Sequence, residues 1–190
     1  MKAQSRILGV DDAPFTFADA VVPVVGVVVR APDYVEGVLT TRVHVDGTDA
    51  TDVLAAAIQG SRYRAGLALV LLDGAALGGF NVVDIDALHE SIRVPVATVT
   101  RNRPDLDSME RVLRRKFPDW ERRLEILRRN ELFRVETPHK PLYATAAGLP
   151  PRDLTDAIHR CTIRGALPEP VRIAHLIATA IVKGESKGKA

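Results

Sequence analysis

An α/β domain with a mixed sheet, in which a three-stranded antiparallel meander is joined by parallel strands and flanked by helices, follows from three features of the chain. Three apolar runs rich in β-branched residues, Arg6–Asp12, Val21–Val29 and Val35–Val45, succeed one another with short connections, the pattern of a meander. The run Leu67–Leu72 is continuously apolar, as a strand covered on both faces must be. Beyond it, helical periodicity alternates with further short strands. A chain of 190 residues, 46% of them hydrophobic, is long enough to bury one continuous core.

Each element has a local reason. The first strand ends at Asp11-Asp12 and a proline turn at Pro14, and the third closes at Asp46-Gly47. Asp49 stands where a helix N-cap belongs, with Val53, Leu54, Ala57 and Ile58 supplying an apolar face. The central strand Leu67–Leu72 ends at Asp73-Gly74 and runs into a glycine-rich loop, Gly78-Gly79-Phe80-Asn81. A short helix over Asp86–Ser91 and a strand over Val94–Thr100 come next. Asp107 with Glu110 reads as a capping pair for a long helical pattern that Pro118 must kink or divide. Leu132–Glu136 and Leu142–Ala146 read as strands, and Pro151–Cys161 and Pro170–Val182 as helices. Residues 1–183 are expected to form one domain, and 184–190 a mobile polar tail. This order matches a ribonuclease-H-like architecture.

Composition removes several classes of function. The longest apolar stretch, Ala20–Val29, is well short of the ~20 residues a spanning helix needs. Asp11 and Asp12 fall where a signal peptide would be apolar, so a cytoplasmic protein is expected. Cys161 is the single cysteine, which excludes a disulfide framework and a cysteine-rich zinc site. The glycine loop lacks the Gly-Lys-Ser/Thr of a phosphate-binding loop. The stretch Val43–Thr48 carries His44 where an aspartyl-phosphatase signature needs its nucleophile. Charge is uneven: residues 1–100 carry a balance of −5 and residues 101–190 one of +7. Such asymmetry suits carboxylates that hold cations beside a surface that holds a polyanion.

Three strands end in aspartate: Asp11, Asp46 and Asp73. Side chains at strand ends converge while the backbone stays rigid, and three carboxylates in one cleft repel unless a cation neutralises them. Hard oxygen donors favour Mg²⁺ or Mn²⁺, and a pair of such ions supports phosphodiester hydrolysis. The expected metal ligands are therefore Asp11, Asp46 and Asp73. Asp12, Asp49 and Asp52 stand as extra ligands or helix caps. Gly79, Phe80 and Asn81 are candidates to meet a nucleic-acid backbone, with Phe80 alternatively a core anchor. Arg172 and His175 lie three apart on one helical face, Arg172 to hold a phosphate and His175 to ligate a metal or move a proton. The arginines between Arg111 and Arg129 either line a solvated face or meet phosphates.

Four blocks carry a resemblance: Gly9–Phe15, Val45–Thr51, Leu72–Asp84 and Pro168–His175. Together they resemble the mainly archaeal family called domain of unknown function ninety-nine, over about Arg6 to Lys187. That family is similar to endonuclease V, a ribonuclease-H-like enzyme that cuts nucleic acid beside deaminated bases using Mg²⁺. The resemblance implies that Asp11 is the first-strand aspartate of such a site, Asp73 its central-strand aspartate and His175 its histidine. Endonuclease V carries a glutamate between the two aspartates; here Asp46 is the expected substitute, with Asp49 next. Tyr34-Val35-Glu36-Gly37 echoes the segment that endonuclease V wedges into DNA at the lesion. A metal-dependent endonuclease acting near uracil or hypoxanthine, on DNA before RNA and in DNA repair, is the implied function. A non-catalytic nucleic-acid-binding module on the same fold is the alternative.

Overall fold

The computed structural model describes residues 4–187, so the start of the expected domain, residues 1–3, and the end of the expected tail, residues 188–190, lie outside the described residues. The meander forms as expected. Strand β1 (Arg6–Asp12) pairs antiparallel with β2 (Val21–Arg30), and β2 with β3 (Tyr34–His44). Helix α1 (Ala50–Gln59) then returns the chain so that β4 (Leu67–Asp73) lies parallel to β1. After a small ribbon, β5 (Ala76–Leu77) with β6 (Asn81–Val82), helix α2 (Ile85–Ile92) leads to β7 (Val96–Thr100), parallel to β4. Helices α3 (Leu106–Lys116) and α4 (Trp120–Arg129) follow, divided near Pro118. Strands β8 (Phe133–Val135) and β9 (Leu142–Ala147) precede α5 (Pro151–Cys161) and α6 (Glu169–Lys183).

The sheet order is β3-β2-β1-β4-β7-β9-β8, with β9 antiparallel to both β7 and β8. This is a ribonuclease-H-like mixed sheet. Strand alternation sends Leu8, Val10, Val70 and Leu72 to one face, where Leu54, Ile58, Leu88 and Ile92 of α1 and α2 cover them. Ile7, Leu69, Leu71 and Val99 point the other way, against Leu154, Ile158 and Val171 of α5 and α6. Both faces are therefore sealed, and the strand ends are the places left for polar chemistry. Among the described residues no helix is long and apolar enough to cross a membrane.

Three local expectations shift. The cap of α3 is Asp105, whose carboxylate accepts from the Ser108 N–H at 3.0 Å. Glu110 is instead held by Arg114 and Arg128, each at 2.8 Å. The glycine-rich loop is not open: Gly78, Gly79 and Phe80 turn between β5 and β6. Asp49 does occupy the N-cap position of α1 but makes no capping bond. The buried Asn81 side chain accepts from the Ala50 N–H at 2.9 Å in its place.

Candidate active site

Parallel pairing of β1 with β4 sets Val10 beside Leu72, so the next residues, Asp11 and Asp73, leave the sheet side by side. On β1, Gly9 and Asp11 share a face. A side chain at Gly9 would run into the backbone of Pro170 and Val171, so glycine alone lets the start of α6 lie directly on the strand. From that contact α6 advances about 7.5 Å over the five residues to His175, close to the ~6.6 Å that β1 advances from Gly9 to Asp11. The imidazole thereby meets the carboxylate: His175 Nδ1 and Asp11 Oδ2 share a hydrogen bond of 2.7 Å. One ligand atom from each of Asp11, Asp73 and His175 lies within 4.8 Å of the others.

This cluster is electrostatically unfavourable as it stands. Asp11 is 5% exposed, and burial, reinforced by the charges of Asp73 and Asp12, pushes its carboxyl up to about 8. The Asp12 N–H, donating to Asp11 Oδ1 at 2.9 Å, and the Arg101 charge oppose that rise only in part. Burial also raises Asp73, against the pull of Arg101 and His175. Asp12 is raised by burial too, while its Oδ2 accepts from the Gly78 N–H at 2.9 Å. Buried carboxylates that repel one another next to an imidazole could hold a divalent cation, and a cation there would remove the repulsion.

Arg101 was not singled out from the sequence. It follows β7, the strand beside β4, and its charge acts on both aspartates. Its signal is local: Arg101 directly follows the strand end at Thr100, just as Asp11 and Asp73 stand at the ends of their strands. Asp73, Arg101, His139, Lys140, Arg164 and Arg172 line one groove of about 840 Å³. Arg172 thus reaches the site's margin, held there by Glu169 through two bonds of 2.8 and 2.6 Å.

The structure does not bring Asp46 to the cluster. Asp12 lies opposite Val24 and Val24 opposite Thr41, whereas β3 continues to His44 opposite Val21, so the strand ends are not level. Asp46 sits in a left-handed turn (φ 55°) and its Oδ1 accepts from the Phe80 N–H at 2.8 Å. Asp49 is engaged as well, by His44 Nδ1 at 2.8 Å and by the Asn81 amide at 2.6 Å. Asn81 itself is fully buried and also donates to the His44 carbonyl at 2.9 Å. Phe80 packs its ring edge on Phe117, with centroids 5.8 Å apart, in the manner of a core anchor. At Gly79 (φ 90°) a side chain would collide with the Asp46 carboxylate. The residues 79–81 therefore clamp the turn at Asp46, with Asn81 buried and Gly79 and Phe80 half-buried. Tyr34 pairs with Arg30, and Arg30 with Arg6, which puts the wedge-like segment at the far end of β1, about 17 Å of strand from Asp11.

The arginines of α3 and α4 are mostly committed to ion pairs. Arg129 holds Asp84 at 2.8 Å, and Arg123 turns inward. The Arg123 guanidinium donates to the carbonyls of Asp46, Gly47 and Phe80 at 3.1, 3.0 and 2.6 Å and lies over the Phe117 ring. A lysine cannot reproduce that fork. Arg123→Lys is expected to cost about 2 kcal/mol through carbonyls left unpaired, read as a lowered midpoint in urea unfolding with an unchanged slope.

Comparison with known proteins agrees with this geometry. A UPF0215 protein of Methanothermobacter thermautotrophicus is 43% identical over 192 residues, covering 100% of this chain and 94% of that protein. The crystal structure of a protein of unknown function from Archaeoglobus fulgidus superposes with a TM-score of 0.85 at 37% identity, covering 94% of this chain and 99% of that one. Ciona intestinalis endonuclease V, solved with a 24mer DNA containing an inosine followed by a ribo-adenosine, shares the fold with a TM-score of 0.57 at 14% identity, covering 90% of this chain and 82% of that one. The family model described as endonuclease dU matches residues 3–182, a span that contains both aspartates, the histidine and the groove arginines, and the chain therefore belongs to the endonuclease dU family.

Proposed function

We propose that this protein is a divalent-metal-dependent endonuclease that hydrolyses phosphodiester bonds beside deaminated bases, with DNA preferred over RNA as substrate and repair as its purpose. The observation that carries the proposal is the convergence of Asp11, Asp73 and His175 within 4.8 Å at the ends of two parallel strands. Asp11 and Asp73 would hold Mg²⁺ or Mn²⁺, with His175 as a further ligand or as the group that holds a proton at the mouth of the site. A bound divalent ion activates water and neutralises charge developing on phosphate oxygens. Arg101, Arg172 and Lys140 along the groove supply positive charge to a phosphate backbone. The fold and family support this reading, and the inosine-containing oligonucleotide bound by the Ciona enzyme supports a nucleic-acid substrate.

The test is a cleavage gel on end-labelled strands carrying a single uracil, hypoxanthine or apurinic site, with Mg²⁺, Mn²⁺ or EDTA. Metal-dependent cutting near one lesion is expected. Salt-sensitive binding without cutting and without Mn²⁺ affinity would identify a nucleic-acid-binding module instead. A second expectation concerns pH. Burial and the neighbouring carboxylates push the Asp11 carboxyl up to about 8, so it keeps its proton up to about that pH in the metal-free protein. Below that pH the proton competes with the cation; above it the carboxylate is already ionised. Mn²⁺ affinity in calorimetry should therefore rise about tenfold per pH unit toward 8 and then level off, with about one proton released per ion on the acid side.

A further inference from the structure

The groove beside Asp73 holds four cationic side chains, Arg101, Lys140, Arg164 and Arg172, and one of them is unlike the rest. Among the described residues Arg101, Lys140 and Arg164 pair with no carboxylate, whereas Arg172 is joined to Glu169. Glu169 is only 5% exposed and does not itself line the groove. It opens α6, where a carboxylate ordinarily faces the free N–H groups of the first turn. Both of its oxygens turn instead to Arg172: Oε1 accepts from Nε at 2.8 Å and Oε2 from Nη2 at 2.6 Å.

A groove that binds phosphates by charge alone gains nothing from a carboxylate that cancels one of its cations. Stability is no better reason, because apolar side chains of similar volume commonly match or exceed a buried ion pair. Geometry supplies one. A guanidinium carries five N–H donors in one plane. Glu169 takes the edge formed by Nε and Nη2, which leaves both N–H groups of Nη1 and the second of Nη2. These make the opposite edge of the fork, a shape that grips two oxygens of one phosphate. The Arg172 side chain borders the groove that Asp73 also lines, with the carboxylate buried behind it. His175 follows one turn later on the same helical face, so the fork stands beside the Asp11–Asp73–His175 cluster. A long side chain held in this way has less freedom to lose when it binds.

We propose that Glu169 is a positioning residue that sets the Arg172 fork to hold one backbone phosphate next to the bond to be cut, so that geometry outweighs net charge at this position. This inference rests on the nuclease reading and adds a residue to its substrate-binding side.

Charge and positioning give opposite signs for one substitution. Glu169→Gln removes a negative charge beside the groove at nearly constant shape; charge alone makes binding tighter, and positioning makes it weaker. The probe is a fluorescently labelled single strand with one uracil, titrated with the full chain at several salt concentrations. EDTA is present throughout, so neither metal nor cutting enters. Glu169→Gln should weaken binding about tenfold, as loss of a charge-assisted bond does. It should also lower the slope of log affinity against log salt by about 0.7, the share of one phosphate on a single strand. Arg172→Lys keeps a charge beside Glu169 without the fork and should lose as much affinity. The two changes together should lose no more than either alone. Urea midpoints verify that each variant is folded, and a purely structural change leaves the salt slope unmoved. If Glu169→Gln does not fold, Arg172→Lys carries the test. Equal or tighter binding by Glu169→Gln, wild-type binding by Arg172→Lys, or losses that add in the double variant overturns the inference, while metal-dependent cutting by wild type leaves the nuclease reading standing. The expected losses without cutting by wild type in Mg²⁺ or Mn²⁺ keep the phosphate fork and overturn the nuclease. Failure of wild type to bind the strand overturns both.

Discussion

Asp73→Asn is expected to lower metal-dependent cutting by about 10³-fold or more and, at the same time, to raise the melting midpoint of the metal-free protein. The first effect follows from losing one of the two carboxylates proposed to hold the ion, since charge stabilisation by a bound metal is worth several kcal/mol in the transition state. The second follows from burial: Asp73 is shifted upward because its charge is poorly solvated beside Asp12 and Asp11, and an amide of the same shape carries no such penalty. A gain of about 1 kcal/mol, or roughly 2–4 °C in a chain of this size, is expected. Opposite signs on activity and stability separate a ligand from a structural residue. Thermal melts with and without Mn²⁺ complete the test, because the stabilisation by Mn²⁺ should vanish with the carboxylate. Cutting that survives Asp73→Asn, or a lowered midpoint, would sink the assignment. Asp46→Asn serves as the control: it keeps an oxygen for the Phe80 N–H and should leave cutting within about a factor of three, as expected for a mild change outside the cluster.

Gly9→Val should be the most destabilising single substitution near the site. The branch would meet main-chain atoms of Pro170 and Val171, and backbone held by a helix cannot swing aside as a side chain can. Overpacking of this kind costs about 1–3 kcal/mol, occasionally more. With the helix axis itself in the way, about 3 kcal/mol and a drop of about 6–12 °C are expected. Because α6 must lift, His175 also leaves Asp11, so Mn²⁺ affinity should fall together with the melting midpoint. Gly26→Ala is the comparison on the neighbouring strand. There a new methyl group would touch the flexible end of Leu8 at 3.0 Å, and only a small change is expected. Equal losses at the two positions would contradict the docking argument.

How much of this was legible in the sequence depends on the range over which each fact is decided. Asp11 and Asp73 were legible because a strand end in aspartate is a local pattern, and a parallel pair puts such ends level. His175 was legible from its block and its helical spacing from Arg172. Asp46 misled because levelness is not local. The β3 strand runs past the end of β1 by an amount set through pairing with β2, and no residue near Asp46 records it. Asn81 misled for a related reason. In a loop it reads as an exposed donor, yet its partners, Ala50, His44 and Asp49, lie more than 30 residues away. Phe80 was left between a tip and an anchor, and the partner that decides it, Phe117, belongs to a distant helix. At α3 the cap fell on Asp105 because Ser108, rather than Glu110, closes the first turn.

The hydrogen bond between Asp11 and His175 joins residues 164 positions apart. During synthesis, a chain emerging from the ribosome presents both carboxylates long before the imidazole exists to meet them. A half-made copy consequently has the acidic pair but not the imidazole that completes the cluster. If the proposed nuclease reading holds, cutting competence would coincide with docking of the final helix, and unfinished chains or fragments truncated before His175 would pose little threat to the nucleic acid around them.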